Sequence, residues 1–484
     1  MRRLAAVAVL GLAVTALGIG FPLAPAPART PAEPRGPAAD WPRYGRDDQL
    51  TNDVPAALAD GLDHTSASRL AEAWRVPLDG PVVASPLYWA QRDRLYVATE
   101  AGSLYALDGG TGKMLWRRKV DAAPVKACGF RFGVSSTGVL DVARHRIYAI
   151  GATGLLTALD LVTGAVVKDW PVRITTNDAE YVWGGLTLFD GLVYVPTASF
   201  CDLPDSIGHA PDGRLVAVDT AQASAVLTWE VVPGEGNLGG IWGYGGTSID
   251  PLTTNLWTAT GNALETETEA EGLAEAVVEL DRRLQVLAWN RPPGIPVLEG
   301  ADTDFGSTPL LLQPSGCPPL AAAHSKNGRL YVWRRDRLVE GPIWTAHIGP
   351  NDLDSPFIGQ PSYSAALRTL FVANGRIYDE LEEVVHLDAA AAFTIGPGCE
   401  LPAAPTWVAA GVGSGPKPPP LVVGDVVFVV GGNSSGLTAL DARTGAELWT
   451  RWLGAPLYSP PIFAEGRVVV ATMGGQVYAF DLRH

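Results

Sequence analysis

The sequence is short of the residues that build most enzyme sites. Its four cysteines, Cys128, Cys201, Cys317 and Cys399, stand far apart with no C-x-x-C, so a zinc ribbon and a thioredoxin-like pair are excluded. No C-x-x-C-H exists to carry a haem. The seven histidines include no H-E-x-x-H and no pair at helical spacing, which leaves a zinc hydrolase without ligands. Cations are scarce as well: 36 Lys and Arg against 51 Asp and Glu give a net charge of −15. Phosphate backbones need clustered Lys and Arg, so nucleic acid is excluded as a partner, and the charge reads as solubility outside the cell. Sustained helical periodicity is absent from residue 41 onward. One G-x-S-x-G match, "GNSSG" at 432–436, falls on a predicted hairpin instead of a strand-to-helix turn, and reads as a turn. A glycosidase would need paired carboxylates, and no distinguishing pattern of them occurs.

What is present is repetition. "SLYALDGGTGKMLWR" (103–117), "LLTALDLVTGAVV" (155–167) and "GLTALDARTGAELWTRW" (436–452) write one phrase three times. Its first half alternates side chains with period two, which suits a strand. The Asp, such as Asp441, can accept hydrogen bonds from amides just ahead of it, and Gly445 can take the positive φ that closes the hairpin. A second strand follows, carrying Trp116 or Trp449, whose large apolar face favours burial. Degenerate copies begin at 214, 276, 329 and 384, and "QVYAFDLRH" at 476 makes eight. The starts lie roughly 40 to 63 residues apart, the spacing of a four-stranded propeller blade with variable loops. The eighth copy has no Trp strand, while "LAEAWRVPLDG" (70–80) is a Trp strand with no partner before it. The expected fold is therefore all-β: an eight-bladed propeller of four-stranded antiparallel blades over 41–484, its last blade closed by N- and C-terminal strands.

Ahead of the repeats, residues 1–28, "MRRLAAVAVLGLAVTALGIGFPLAPAPA", have two arginines, an apolar run and a small-residue end. This is the layout of an export signal cut after Ala28, and the competing reading is an uncleaved anchor. Residues 29–40 form a Pro/Ala-rich disordered lead-in. The expectation is an extracytoplasmic protein, secreted or held in the periplasm or cell envelope, with no stable membrane span after cleavage. Export favours disulfides, and of three possible pairings we expect Cys128–Cys201 and Cys317–Cys399, joining loops of nearby blades.

One region departs from the repeat. "EGNLGGIWGYGGTSIDPLTTNLWTATGN" (235–262) sets glycines, Trp242 and Tyr244 before a strand that ends in Gly261-Asn262, and "DTDFGSTP" (302–309) and "HSKNG" (324–328) place acids and a lysine at strand entries. Propellers bind ligands where such loops converge on the channel. These runs, the repeats and the opening "WPRYGRDDQLTNDV" (41–54) resemble the quinoprotein alcohol dehydrogenase-like superfamily, closest to its polyvinyl-alcohol-dehydrogenase-like branch. The resemblance implies pyrroloquinoline quinone (PQQ) and calcium as cofactors in the channel, a small or polymeric alcohol as substrate, and a separate electron acceptor. It casts Asp302 and Asp304 as catalytic acids, one as base. Lys326, Trp183 and Trp242 become cofactor-binding residues, and Asn262 and Glu180 metal ligands. The adjacent-cysteine disulfide frequent in that family has no counterpart here. The rival expectation is a non-catalytic propeller scaffold of the cell envelope, whose partner is another envelope protein.

Overall fold

The computed structural model describes residues 39–121, 125–127, 130–200, 211–234, 236–263, 272–293, 303–349, 359–378, 384–412, 418–431 and 434–483. The expected export signal, nearly all of the lead-in, Asp302 and the Cys128–Cys201 pair lie outside the described residues.

Eight antiparallel sheets of four strands follow one another along the chain, as the repeat count requires. Their first strands, from Leu87–Trp89 in blade 1 to Ile462–Ala464 in blade 8, touch one another around the axis, and their fourth strands are outermost. Blade 8 takes its fourth strand, Leu70–Pro77, from the other end of the chain. That strand pairs antiparallel with Gln476–Leu482, from Leu70 opposite Leu482 to Pro77 opposite Gln476. The ring is thereby closed and a sheet edge removed.

The turn chemistry acts as its residues dictate. Asp441 accepts from the amides of Arg443 and Thr444, Asp160 from those of Val162 and Thr163, and Gly445 adopts φ +73°. The turn then docks onto the preceding blade. Trp116 of blade 1 packs on Gly164 of blade 2, and its indole donates to Leu161 O at 3.3 Å. Trp407 of blade 6 packs on Gly445 of blade 7 and donates to Ala442 O at 3.0 Å. Trp74 of blade 8 does the same to Gly112 and Gly109 O of blade 1, at 2.9 Å. A side chain at any of these glycines would collide with the indole: the added carbon would lie 2.5 Å from the Trp74 ring. The turn glycine is thus needed twice, for its φ and for blade-to-blade contact.

The opening segment threads the channel itself. Trp41 pairs with Tyr88 of blade 1, Pro42 O accepts from Leu140 of blade 2, and Arg43 donates to Thr187 Oγ1 of blade 3 at 2.8 Å. Asp48, Gln49, Thr51 and Asn52 then accept through their carbonyls from Ile249, Leu311, Tyr363 and Val422 of blades 4 to 7. Asp53–Val54 adds a short parallel strand to blade 7. Seven inner strands are stitched in chain order by fourteen consecutive residues. Cys317–Cys399, the second expected pair, is a disulfide joining blades 5 and 6.

Candidate functional site

Loops entering the inner strands and loops joining second to third strands open on the same face of the ring. Trp242 and Asp304 lie on loops of the first kind, Asn262 and Lys326 on loops of the second. Blades 4 and 5 bring three of them together. The carboxylate of Asp304, 1 % exposed, accepts from the Trp242 indole through Oδ2 at 2.6 Å and meets Lys326 Nζ through Oδ1 at 2.9 Å. The Lys326 ammonium also stands 4.6 Å from the centre of the Trp242 ring, a cation–π contact. Main-chain bonds hold this geometry from behind: Lys326 N donates to Asp304 O at 2.9 Å, and Gly261 N to Gly240 O at 2.7 Å. Gly261 is required here because a Cβ would come within 3.0 Å of Asp304 Oδ2.

Asn262 is half-buried beside Gly261, its carbonyl accepting from Gly239 N at 2.8 Å and its amide donating to Ala263 O at 3.4 Å. Reading the sequence missed Glu275, which is fully buried. Its Oε1 accepts from Thr303 at 2.7 Å and its N–H donates to Gly261 O at 3.0 Å, tying the Asp304 loop to the Asn262 loop. The available signal was an acid set directly against the apolar run "AVVEL" with no turn between them.

Glu180 and Trp183 stand in a different network on blades 2 and 3. Glu180 accepts from Arg214 at 2.6 Å, from Thr176 N at 2.9 Å and from Thr176 Oγ1 at 2.7 Å, all buried or partly so. Trp183 meets Tyr181 and Phe132 edge to face, with centroids 5.0 and 5.4 Å apart, and donates to Ser199 O at 2.8 Å. Behind them the buried Glu100 accepts from Gly133 N and from Ser135, whose hydroxyl also meets that of Tyr181. Burial raises the Glu100 carboxyl above the usual range and pushes the Tyr181 phenol well up, so this acid and phenol favour their neutral forms. A cavity of about 390 Å³ opens beside Glu180, lined by Ala152, Thr153, Thr175, Thr176, Asn177 and Phe200 among others.

The fit to a cofactor can be tested on these contacts. A flat quinone carrying carboxylates needs a cation and a ring face, and Lys326 and Trp242 provide them, with Gly261 leaving no side chain between Trp242 and Asp304. Calcium needs several oxygen ligands at one point. Among the described residues no group of three or more His, Cys, Asp or Glu gathers for a metal, and the oxygens of Glu180 and Asp304 are engaged by separate cations. No helix among the described residues is long and apolar enough to cross a membrane.

Comparisons with known proteins agree with the fold. A polyvinylalcohol dehydrogenase of Pseudomonas sp is 25 % identical over 294 residues, 53 % of this chain and 44 % of the relative, so the match spans under half of that protein's length. Quinohemoprotein alcohol dehydrogenase from Comamonas testosteroni superimposes with a TM-score of 0.71 at 17 % identity, covering 91 % of this chain and 80 % of that one. BamB from Moraxella catarrhalis superimposes with a TM-score of 0.56 at 14 % identity, covering 85 % of this chain and 99 % of that one. At such identities the superpositions establish the fold alone. The family model described as outer membrane protein assembly factor BamB matches residues 66–237 and 352–484, most of the ring, and the chain belongs to that PQQ_2 family of repeat propellers.

Proposed function

We propose that the chain is an extracytoplasmic quinoprotein-type oxidoreductase that dehydrogenates alcohols at Asp304, Lys326 and Trp242. The observation that carries this reading is a buried carboxylate gripped by an ammonium and an indole N–H, with Gly261 packed against it. Such a constellation has little value for stability, because replacing a buried ion pair by apolar residues is often neutral or stabilising.

Pyrroloquinoline quinone, when bound, supplies the two-electron acceptor that takes hydride from the alcohol carbon. The chain's own residues do the rest. Asp304 accepts the hydroxyl proton on Oδ1 or Oδ2 as the carbon becomes a carbonyl, and its burial keeps water from competing for that role. Trp242 fixes the carboxylate through Oδ2, and Lys326 balances its charge and is the cation proposed to meet a quinone oxygen. Asp302 is proposed as the second acid of the same loop. Trp183 is the alternative stacking ring, although two of its neighbours already meet it edge to face. Asn262 is the proposed calcium oxygen; Glu180 would join it only by giving up its bonds to Arg214 and Thr176, so no step is routed through a metal, and the titration below asks about calcium separately. The substrate is proposed to be a small or polymeric alcohol, with an electron acceptor outside this chain.

The test is a titration of the purified protein with PQQ, with and without calcium, followed by absorbance and by dye reduction with alcohols. Saturable binding that is lost in Lys326→Ala, with alcohol-dependent dye reduction lost in Asp304→Asn, is the expected result. Absence of binding at high micromolar PQQ overturns the reading.

A second reading is favoured by the family description itself: a non-catalytic scaffold that engages an envelope protein. The outer strand of blade 4 supports it, because Val286, Leu287 and Trp289 are exposed along an unpaired edge.

A further inference from the structure

Blades 1, 6 and 8 each dock an outer-strand indole onto the D-x-x-T-G turn of the next blade. Blade 7 carries the equivalent residue. Trp449 pairs with Ala439 as Trp116 pairs with Ala106, one position from the same register shift in each blade. Its neighbour is blade 8, whose third and fourth strands, Gln476–Leu482 and Leu70–Pro77, come from opposite ends of the chain. No turn joins those two strands, and among the described residues no turn glycine packs on Trp449. In its place lies a cavity of about 420 Å³, lined by Trp449, Phe480, Leu70, Arg69, Arg451 and Arg483 among others.

The chemistry of this slot differs from its docked counterparts. Trp449 is half-buried with Phe480 edge to face against it at 5.2 Å, and its indole N–H donates to no described residue. The guanidinium groups of Arg69 and Arg483 meet no carboxylate among the described residues, and Arg451 shares Glu72 with Arg75 at 3.6 Å each. Three arginines around one indole stand out on a chain of net charge −15. We infer that this slot is a docking site for an acidic, glycine-containing turn presented by a partner protein, which would fill in trans the place that D-x-x-T-G turns fill in cis at three other junctions. The glycine would lie on the indole, a carbonyl of the turn would accept its N–H, and the turn's aspartate would face Arg69 and Arg483. The occupant is a protein turn and not a free anion, because the cavity combines the guanidinium groups with an aromatic platform and an apolar floor of Leu70 and Phe480. This inference is independent of the proposed dehydrogenase chemistry.

A labelled cyclic peptide carrying Asp-Leu-Val-Thr-Gly-Ala, the turn of residues 160–165, tests it by fluorescence anisotropy against the whole purified protein. Saturable binding is expected, weakened at least about tenfold by Trp449→Ala and by the pair Arg69→Glu with Arg483→Glu, and unchanged by Trp452→Ala on the same strand. The arginine pair leaves the core packing of Trp449 in place, so it remains informative should Trp449→Ala fail to fold. Replacing the peptide's glycine by leucine is expected to abolish binding. Binding indifferent to these changes, absence of binding up to millimolar peptide, or tight inorganic phosphate at the same arginines without peptide binding would overturn the inference.

Discussion

Two buried carboxylate–cation pairs sit on the same face of the ring and are built to different ends. Glu180–Arg214, on blades 2 and 3, is closed on itself: both oxygens of Glu180 are taken by Arg214 and the backbone and hydroxyl of Thr176, and Arg214 also donates to Ile174 O. Asp304–Lys326, on blades 4 and 5, is held differently: the ammonium meets Oδ1 and also stands over the face of the indole that donates to Oδ2. A guanidinium nitrogen bonded to both a fully bonded acid and a main-chain carbonyl makes a latch, whereas a point-charge ammonium over an aromatic face can exchange partners when a ligand arrives. Sequence alone does not separate the two, since both acids stand just before strands.

The sharpest break of this comparison is to remove one charged partner from each pair. Arg214→Ala leaves Glu180 buried and unpaired, and is expected to cost about 3–5 kcal/mol of stability, read as a lowered urea midpoint. Asp304→Asn keeps an acceptor for Trp242 and is expected to cost under about 2 kcal/mol in the same assay, while lowering alcohol-dependent dye reduction by about 10²–10⁴-fold. Equal stability losses in the two variants would erase the distinction. Reduction of Cys317–Cys399, which closes a loop with a sequence separation of 82, is expected to destabilise the ring by roughly 4 kcal/mol without touching either pair.

A pH titration sharpens the comparison further. His324, two residues before Lys326, is fully buried, and burial together with nearby His347 drives its pKa down to about 3. The unfolded chain protonates this ring near pH 6.5 while the folded one does not, so stability is lost as pH falls from about 6.5 towards 3. His324→Asn should flatten that acid limb in thermal melts. The smallest effect expected is for Trp183→Phe, which keeps the edge-to-face contacts and loses only the bond to Ser199 O, about 1 kcal/mol, with PQQ affinity unchanged if Trp242 is the stacking ring.

The fold was legible because its information is local. Each Asp, turn glycine and outer-strand Trp acts within its own hairpin or on the adjacent one, so a repeated phrase reports a repeated unit, and the unpaired Trp strand at 70–80 told how the ring closes. The site was legible in part. Asp304, Lys326 and Trp242 interrupt the repeat as charged or glycine-flanked insertions, and they meet. Arg214 went unread as the partner of Glu180 because "RLVAVD" looks like any other repeat strand, and Glu275 because its bonds reach across two loops. The path of residues 41–54 had no periodicity to betray it: the residues that make its bonds are unevenly spaced and meet successive blades.

The most direct measurement of the central claim is PQQ binding by the unmodified protein, Lys326→Ala and Arg214→Lys, each checked first for a cooperative melt. The account predicts saturable binding by the unmodified protein and by Arg214→Lys, and its loss in Lys326→Ala. Binding that survives in Lys326→Ala, or that is absent from all three folded proteins, would contradict it.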